Sequence, residues 1–401
     1  MSELPPEIML GVVSQLKPLD RINLATSCPA LFLRPGFNLF VQCAEKQVAQ
    51  WTSPDETLLP VAIKNNISIP VIRDIIRAYK SVRPESIDGD WGQTPPTFPP
   101  PIHLAVKSGR PEVVSLLLDE GADPERHFTR NKYLLAVRAD CSLSHYNHSV
   151  CQDIYGVPIG VTSNCATAMS LCFYLSYPFP YAHVDNMLLE ECALVLHEKG
   201  APAVSGYRYF DDPLLQRLFF PFQARFHRLV KAILDPLVPL RQGQDDFRTL
   251  LGTALRTACN FRPMHEDDDR STIAYLISIG APIVAAFEEP NGEIPTFHNT
   301  LMHAATACSA MTTATILMNA ASDQGLSYDY HRLDIWHLCR RPLLFVQALA
   351  ENMRTNGGFI EGKEASTKEL HKWLCGQLVK LGFILASQWM IDEGLVSRPE
   401  E

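Results

Sequence analysis

The pattern of apolar and polar positions predicts two short helices within residues 101–124. Pro101 and Pro111 suit the first helical turn, because the fixed φ of proline fits there and its missing N–H has no intrahelical partner. Gly109 and Gly121 end the two helices, since glycine tolerates the left-handed conformation. One face of the second helix carries an apolar stripe made of Val113, Val114, Leu117 and Leu118. The segment is therefore predicted to be one helix–turn–helix unit.

The amino-acid sequence of this unit resembles a known repeat motif. Pro-Ile-His-Leu-Ala at 101–105, followed by Gly-Ala-Asp at 121–123, is similar to the ankyrin repeat, whose motif is T-P-L-H-x-A. The resemblance implies that His103 forms a structural hydrogen bond between repeats, as does His303 in the similar stretch Thr300–Ala305. A single repeat cannot bury its own apolar face. Further copies are therefore expected on both sides.

Other segments carry weaker forms of the pattern. Residues 57–62 form a degenerate first helix, and residues 69–76 a second one. The dipeptide Gly-Ala recurs at 121–122, 200–201 and 280–281, each time after an apolar helix. This spacing is near 80, whereas the ankyrin period is 33. Either repeats have been lost between these markers or loops have been inserted.

We predict five to seven irregular repeats over residues 53–390. Inserted loops are expected near 86–100, 140–165 and 203–245, and a frayed tail over 391–401. Residues 368–385 are predicted to form one of the last helices. The resemblance implies that loop tips and first helices line the binding surface, which gives three places to look: Asp88–Thr97, Glu125–Lys132 and Glu288–Phe297. Four residues are candidates for substrate binding: Trp91, Phe98, Arg126 and Arg130. Trp91 and Phe98 are either partner anchors or aromatics that fold back on the array.

The first fifty residues predict three more helices. Residues 5–7, Pro-Pro-Glu, favour a helix start, and Lys17-Pro18 is expected to end that helix. Asp20 is the predicted N-cap of a second helix over 21–28. A third helix is predicted from Asn38 to Trp51. Three short helices form a small core, so a partner is implied.

The same segment closely resembles the F-box. The resemblance is carried by L-P-x-E-I at 4–8, by Leu16, by Leu19-Asp20 and by a small apolar helix that ends at Cys28. It implies docking on a Skp-family adaptor and, through it, on a cullin–RING ubiquitin ligase. The residues that it places against the adaptor are Leu4, Pro5, Glu7, Ile8, Val12, Leu16 and Leu24. Pro29 departs from the family, which commonly has a basic or polar residue there. An F-box followed by ankyrin repeats resembles an arrangement of filamentous fungi.

The alternative is a helical cap, since a solenoid needs a polar-faced terminal unit. Exposure of Leu4, Pro5 and Ile8 distinguishes the two. An exposed apolar patch there indicates a surface that awaits a partner, whereas packing of these residues on 58–76 favours the cap.

Composition narrows the function classes. The chain has 401 residues, 46% of them apolar, and a net charge of −9. An acidic chain lacks the basic footprint of a nucleic-acid binder or of a binder of anionic membranes. The N-terminus lacks a secretory pattern, and no apolar run approaches the length of a membrane span. Eleven cysteines without a C-x-x-C pair suit reduced thiols. We therefore expect the cytoplasm or the nucleus.

Two clusters carry possible chemistry. Cys141, His145, His148 and Cys151 place four zinc-type ligands within eleven residues. Their spacing matches no established zinc pattern, so we expect no metal there. Residues 266–269, Glu-Asp-Asp-Asp, are expected to form a solvated loop, with contact to a basic partner as the alternative. The sequence holds no G-x-S-x-G, phosphate-binding glycine loop or H-E-x-x-H.

The sequence thus predicts an all-α protein with an F-box over 1–52 and an irregular ankyrin solenoid after it. The expected function is that of a substrate receptor in a ubiquitin ligase, without catalytic residues or cofactor. The alternative is a plain ankyrin scaffold or inhibitor whose first helices only cap the array.

Overall fold

The structure, a computed structural model, describes residues 5–34, 37–49, 57–88, 100–126, 167–176, 185–203, 212–260, 270–283, 342–361, 363–397 and five single positions (316, 317, 320, 323 and 330). It divides the chain into two compact units, residues 1–209 and 210–401. Most of the described residues are helical, which confirms the all-α prediction.

The helices of the first unit are α1 (Pro6–Ser14), α2 (Pro18–Ser27), α3 (Pro29–Phe32), α4 (Leu39–Ala49), α5 (Leu58–Lys64), α6 (Ile69–Val82), α7 (Pro101–Lys107), α8 (Pro111–Asp119), α9 (Ala168–Leu175) and α10 (Asn186–Glu198). A 3₁₀ helix spans Pro84–Asp88. Strands β1 (Leu33–Arg34) and β2 (Phe37–Asn38) form an antiparallel ribbon with Leu33 opposite Asn38.

Three helix pairs of this unit stack in two layers. The first helices form one layer, in which α7 packs between α5 and α9. The second helices form the other layer, in which α8 packs between α6 and α10. Each pair supplies an apolar face that it cannot bury alone, so stacking buries a continuous core. The pairs are therefore arranged as successive units of a solenoid.

The three Gly-Ala dipeptides form the same turn. Gly121, Gly200 and Gly280 have φ of 94°, 88° and 94°. The next alanine N–H donates to the carbonyl five residues earlier, which satisfies one of the last carbonyls of the helix. The acceptors are Leu117, Leu196 and Leu276, at 2.9, 2.9 and 3.0 Å. This repeated sequence marker is thus a helix C-cap.

The N-terminal helices differ from the prediction at their ends. Asp20 is not an N-cap, because Pro18 occupies the first helical position and Lys17 precedes it. Pro29 begins a separate helix of four residues. Asn38 caps α4, since its side-chain oxygen accepts from the N–H groups of Phe40 and Val41. Proline at these positions starts the next helix as well as ending the previous one.

The second unit contains helices α11 (Pro213–Ala224), α12 (His227–Leu234), α13 (Val238–Arg241), α14 (Asp245–Asn260), α15 (Arg270–Ser278), α16 (Pro342–Asn356), α17 (Thr367–Lys380) and α18 (Ile384–Asp392). Strands β3 (Phe359–Ile360) and β4 (Lys363–Glu364) pair antiparallel. Helix α11 packs on α14 and α12 on α15, which repeats the two-layer arrangement.

The predicted inserted loop at 203–245 is wrong over its described part. Asp212 caps α11 by accepting from the N–H groups of Leu214 and Leu215, and Pro213 occupies the first turn. Pro221 lies inside α11 and is buried. Apolar burial on α14 compensates for the proline, which local propensity alone disfavours.

Two predictions near the C-terminus also need correction. The helix predicted over 368–385 is two helices, because Gly382 has φ of 80° and the N–H of Phe383 closes the turn on the carbonyl of Leu378. The tail predicted from Ile391 starts later, since α18 continues to Asp392.

Candidate protein-interaction site

Helix α1 begins with two prolines. Pro5 precedes it with φ −56° and ψ 143°, and Pro6 takes the first helical position. Glu7 lies in the first turn, where a carboxylate is favoured by the helix dipole. The start of this helix thus follows from local sequence alone.

Helix α1 has two apolar stripes. Met9 and Val13 are four residues apart and buried. Ile8 and Val12 are also four apart, but they remain 52% and 59% exposed. We call Ile8 and Val12 the outer stripe. Pro5, three residues before Ile8, is exposed as well. The outer stripe is therefore an apolar helix face turned to solvent.

Arg21 of α2 fixes the position of α1. Its Nε donates to the carbonyl of Val13 at 3.1 Å, and its Nη2 donates to the carbonyl of Ser14 at 3.3 Å. A cation at the C-terminal end of a helix also favours the helix dipole. The direction of the outer stripe is thereby set by the second helix.

The structure places six of the seven predicted adaptor residues. Pro5, Glu7, Ile8 and Val12 are exposed on or beside α1. Leu16 and Leu24 are half-buried. Leu4 lies outside the described residues. The exposed face is thus concentrated on the first helix.

Leu16 also borders a cavity of about 360 Å³. The lining residues that the structure describes are Gln15, Leu16, Lys17, Pro18, Arg21, Cys43, Lys46, Gln47, Leu58 and Tyr79. Burial raises the pKa of the Cys43 thiol, and the nearby positive charges of Arg21 and Lys46 oppose that shift. Burial also raises the pKa of Tyr79 far above its usual range. Both groups are therefore neutral near pH 7.

The repeat region presents a different surface. All side chains from Pro101 to Val106 in α7 are buried, and so are those from Leu58 to Ile63 in α5. The expectation that first helices line the binding surface is therefore wrong for these two helices. His103 is fully buried within α7. Most exposed helical positions of the described pairs lie on the second helices, for example Arg73 and Glu112, and α5 exposes Lys64 at its end.

Arg110 connects neighbouring repeats. Its side chain is buried, and its Nη1 and Nη2 donate to the carbonyls of Ile63 at 3.3 Å and Ile67 at 2.9 Å. Its Nε pairs with Glu112 at 2.8 Å. Sequence reasoning missed this residue. The available signal was a basic residue between Gly109 and Pro111 in a turn flanked by two apolar helices.

Ion pairs cross the layer of second helices. Lys80 contacts the Oε2 of Glu120 at 3.2 Å, and Lys199 contacts the Oδ1 of Asp119 at 2.6 Å. The backbone N–H of Asp123 donates to Asp88 at 2.8 Å. These contacts join residues 35 to 80 positions apart. They fix the register of successive pairs.

Most predicted substrate and metal residues lie outside the described residues. Arg126 is described and half-buried, and its backbone N–H donates to the carbonyl of Asp123. The residues outside are Trp91, Phe98, Arg130, Cys141, His145, His148, Cys151, Glu266–Asp269 and His303. Within the described ranges, no group of three or more His, Cys, Asp or Glu is placed to hold a metal ion.

None of the helices that the structure describes has the length and apolarity needed to cross a bilayer.

Comparison with known families agrees with the geometry of the repeat pair. A model of the ankyrin repeat matches residues 100–127, which contain α7, α8 and the turn after them. No curated protein matches the chain. The chain is therefore similar to ankyrin-repeat proteins over this segment, which indicates a role in protein–protein interaction.

Proposed function

We propose that the protein is a substrate receptor of a cullin–RING ubiquitin ligase. Helix α1 docks a Skp-family adaptor, and the ankyrin repeats bind the protein substrate. The observation that carries this proposal is the outer stripe, an apolar face on the helix that resembles the start of an F-box.

The outer stripe has the spacing of a helix that enters an apolar groove. Ile8 and Val12 lie one turn apart, and Pro5 continues the row toward the N-terminus. Full burial of one such side chain contributes about 1.5–3 kcal/mol, so two half-exposed residues leave about 1 kcal/mol each to be gained on docking. Both side chains are β-branched and lose little rotamer freedom when buried.

The alternative scaffold function is supported by the packing of the neighbouring helices. Helix α4 packs on α6, and α2 packs on α5, so the N-terminal segment covers the first repeat as a cap does. A cap, however, presents a polar outer face, whereas α1 presents Ile8 and Val12. The proposal assigns capping to α2 and α4 and docking to α1.

In this role the chain supplies no catalytic side chain. It accelerates ubiquitin transfer by holding substrate lysines near the charged E2, which raises their effective concentration. The partners are the adaptor, the cullin behind it and a protein substrate, and the compartment is the cytoplasm or the nucleus.

The proposal is tested by co-purification with a Skp-family adaptor. The test variant is Ile8→Asp with Val12→Asp, which places charges on the exposed face only. The matched control is Val379→Asp with Ile384→Asp, because these residues are similarly exposed, at 55% and 63%, in the second unit. Circular dichroism checks the fold of all three proteins.

We expect the wild type and the control to bind the adaptor with equal affinity. The affinity of the Ile8 and Val12 variant for the adaptor is expected to fall about 100-fold, since central apolar anchors carry most of an interface's binding energy. A wild type that binds no adaptor, or a folded variant that binds it normally, contradicts the proposal and leaves the scaffold function.

A further inference from the structure

The cavity beside Leu16 has an unbalanced charge. Three of its described lining residues are cations, Lys17, Arg21 and Lys46, and none of the lining residues that the structure describes is an Asp or a Glu. Within the part of the chain that the structure describes, no carboxylate forms an ion pair with any of the three. The described lining of the cavity therefore has a positive potential that favours an anion.

Gln47 adds a second, independent observation. Its side chain is 9% exposed, and its Oε1 is buried with no hydrogen-bond partner among the described residues. A buried acceptor without a donor is unfavourable, and such groups in native proteins call for an explanation. A hydroxyl group placed in the cavity supplies that donor.

Arg21 retains capacity to bind a guest. Its guanidinium has five N–H donors, and the bonds to Val13 and Ser14 together with the hydrogen bond to the Cys43 thiol occupy only part of them. Lys17 and Lys46 are exposed at the rim, where they reach solvent and the cavity. The volume of about 360 Å³ lies at the lower end of small-molecule pockets, which span about 300–1,000 Å³.

We propose that this cavity binds a small hydroxylated anion, a sugar or polyol that carries a phosphate or a carboxylate. The anionic group pairs with Arg21 and the two lysines, and a hydroxyl donates to Oε1 of Gln47. Neutral Cys43 and Tyr79 line the wall without repelling the anion. The bound molecule contacts the α1–α2 corner, α4 and the first repeat at once. This inference does not depend on adaptor binding.

The test is titration calorimetry on the full chain with four probes. Glucose 6-phosphate and gluconate carry both features, glucose has only hydroxyls, and inorganic phosphate has only the charge. We expect saturable binding of at least one of the two hydroxylated anions. Glucose is expected not to bind, and inorganic phosphate is expected to bind more weakly. The tighter binder of the two shows whether the cavity prefers a phosphate or a carboxylate. If neither hydroxylated anion binds, or if glucose binds as tightly, the proposal is overturned.

Variants locate the binding in the cavity. Lys46→Ala is expected to raise the dissociation constant about ten- to hundredfold, the usual range for loss of one charge-assisted contact. Its matched control is Lys372→Ala, an exposed lysine of α17 that is expected to change nothing. Gln47→Leu is expected to weaken binding of the hydroxylated anion and to leave the affinity for inorganic phosphate unchanged. Equal affinities in the Lys46 and Lys372 variants contradict the assigned site.

Discussion

Helices α1 and α7 start alike and end in opposite environments. Each follows a proline with φ near −55°, and each has a second proline in its first turn. Each carries an isoleucine and a valine four residues apart, Ile8 with Val12 and Ile102 with Val106. In α7 both are fully buried, whereas in α1 both are more than half exposed.

The difference lies in the neighbours. Helix α7 has α5 and α9 on its two sides and α8 behind it, so its residues from Pro101 to Val106 are buried. Helix α1 buries Met9 and Val13 and leaves its other apolar stripe without cover from the described residues. The same local pattern thus forms a core in one place and a docking surface in the other.

The largest expected difference between the two helices is in the free energy of unfolding after truncation of the matched isoleucines. Ile102→Ala is expected to lower the free energy of unfolding by about 2–5 kcal/mol, because it opens a cavity in a closed core. Ile8→Ala is expected to change it by less than about 0.5 kcal/mol, the usual range for surface substitutions. Urea unfolding followed by circular dichroism measures both. Similar losses in the two variants would show that the outer stripe is packed in solution.

The arginines that hold the two helices give the next contrast. Arg110→Ala is expected to cost about 2–3 kcal/mol, since the buried guanidinium satisfies two carbonyls of the preceding repeat. Arg21→Ala is expected to cost about 1 kcal/mol, because Arg21 is only half-buried and water replaces its bonds. Arg73→Ala, at an exposed position of α6, is the control with no expected effect. Thermal and urea unfolding provide the readout, and an Arg110 effect no larger than that of Arg73 refutes the assignment.

Alanine substitution of two glycines is expected to change the free energy of unfolding in opposite directions. Gly121→Ala should destabilise by about 1–2 kcal/mol, because φ of 94° strains any residue with a Cβ although the space around it is open. Gly11→Ala in α1 should stabilise by about 0.5–1 kcal/mol, since Gly11 is helical and nothing lies within 4 Å of an added Cβ. Paired urea curves measure the difference. Loss of stability in the Gly11 variant would indicate that α1 is not helical there.

Several local elements of this protein were readable from its sequence. Prolines marked the starts of α1, α7 and α8, and the Gly-Ala dipeptides marked three equivalent helix ends, because these signals act through φ and the nearest hydrogen bonds. The ankyrin-like unit at 101–124 was recognised for the same reason. Helix α11 was missed because its prolines weaken the local signal, and burial against α14 stabilises the helix. Helix α12 was missed although it has no proline and its apolar residues share one face.

Only the tertiary structure decided which apolar stripes are covered. Sequence periodicity gives Ile8 and Ile102 the same status, and their fates depend on helices far away in the chain. The cationic cavity has the same origin, because it joins Lys17 and Arg21 to Lys46, Gln47 and Tyr79 across several helices. Packing brings these lining residues together although they lie far apart in the sequence, and a local sequence pattern does not encode such long-range contacts. The sequence by itself determined the helix ends that depend on proline or on the Gly-Ala turn, and the stack determined which helix faces are left to bind.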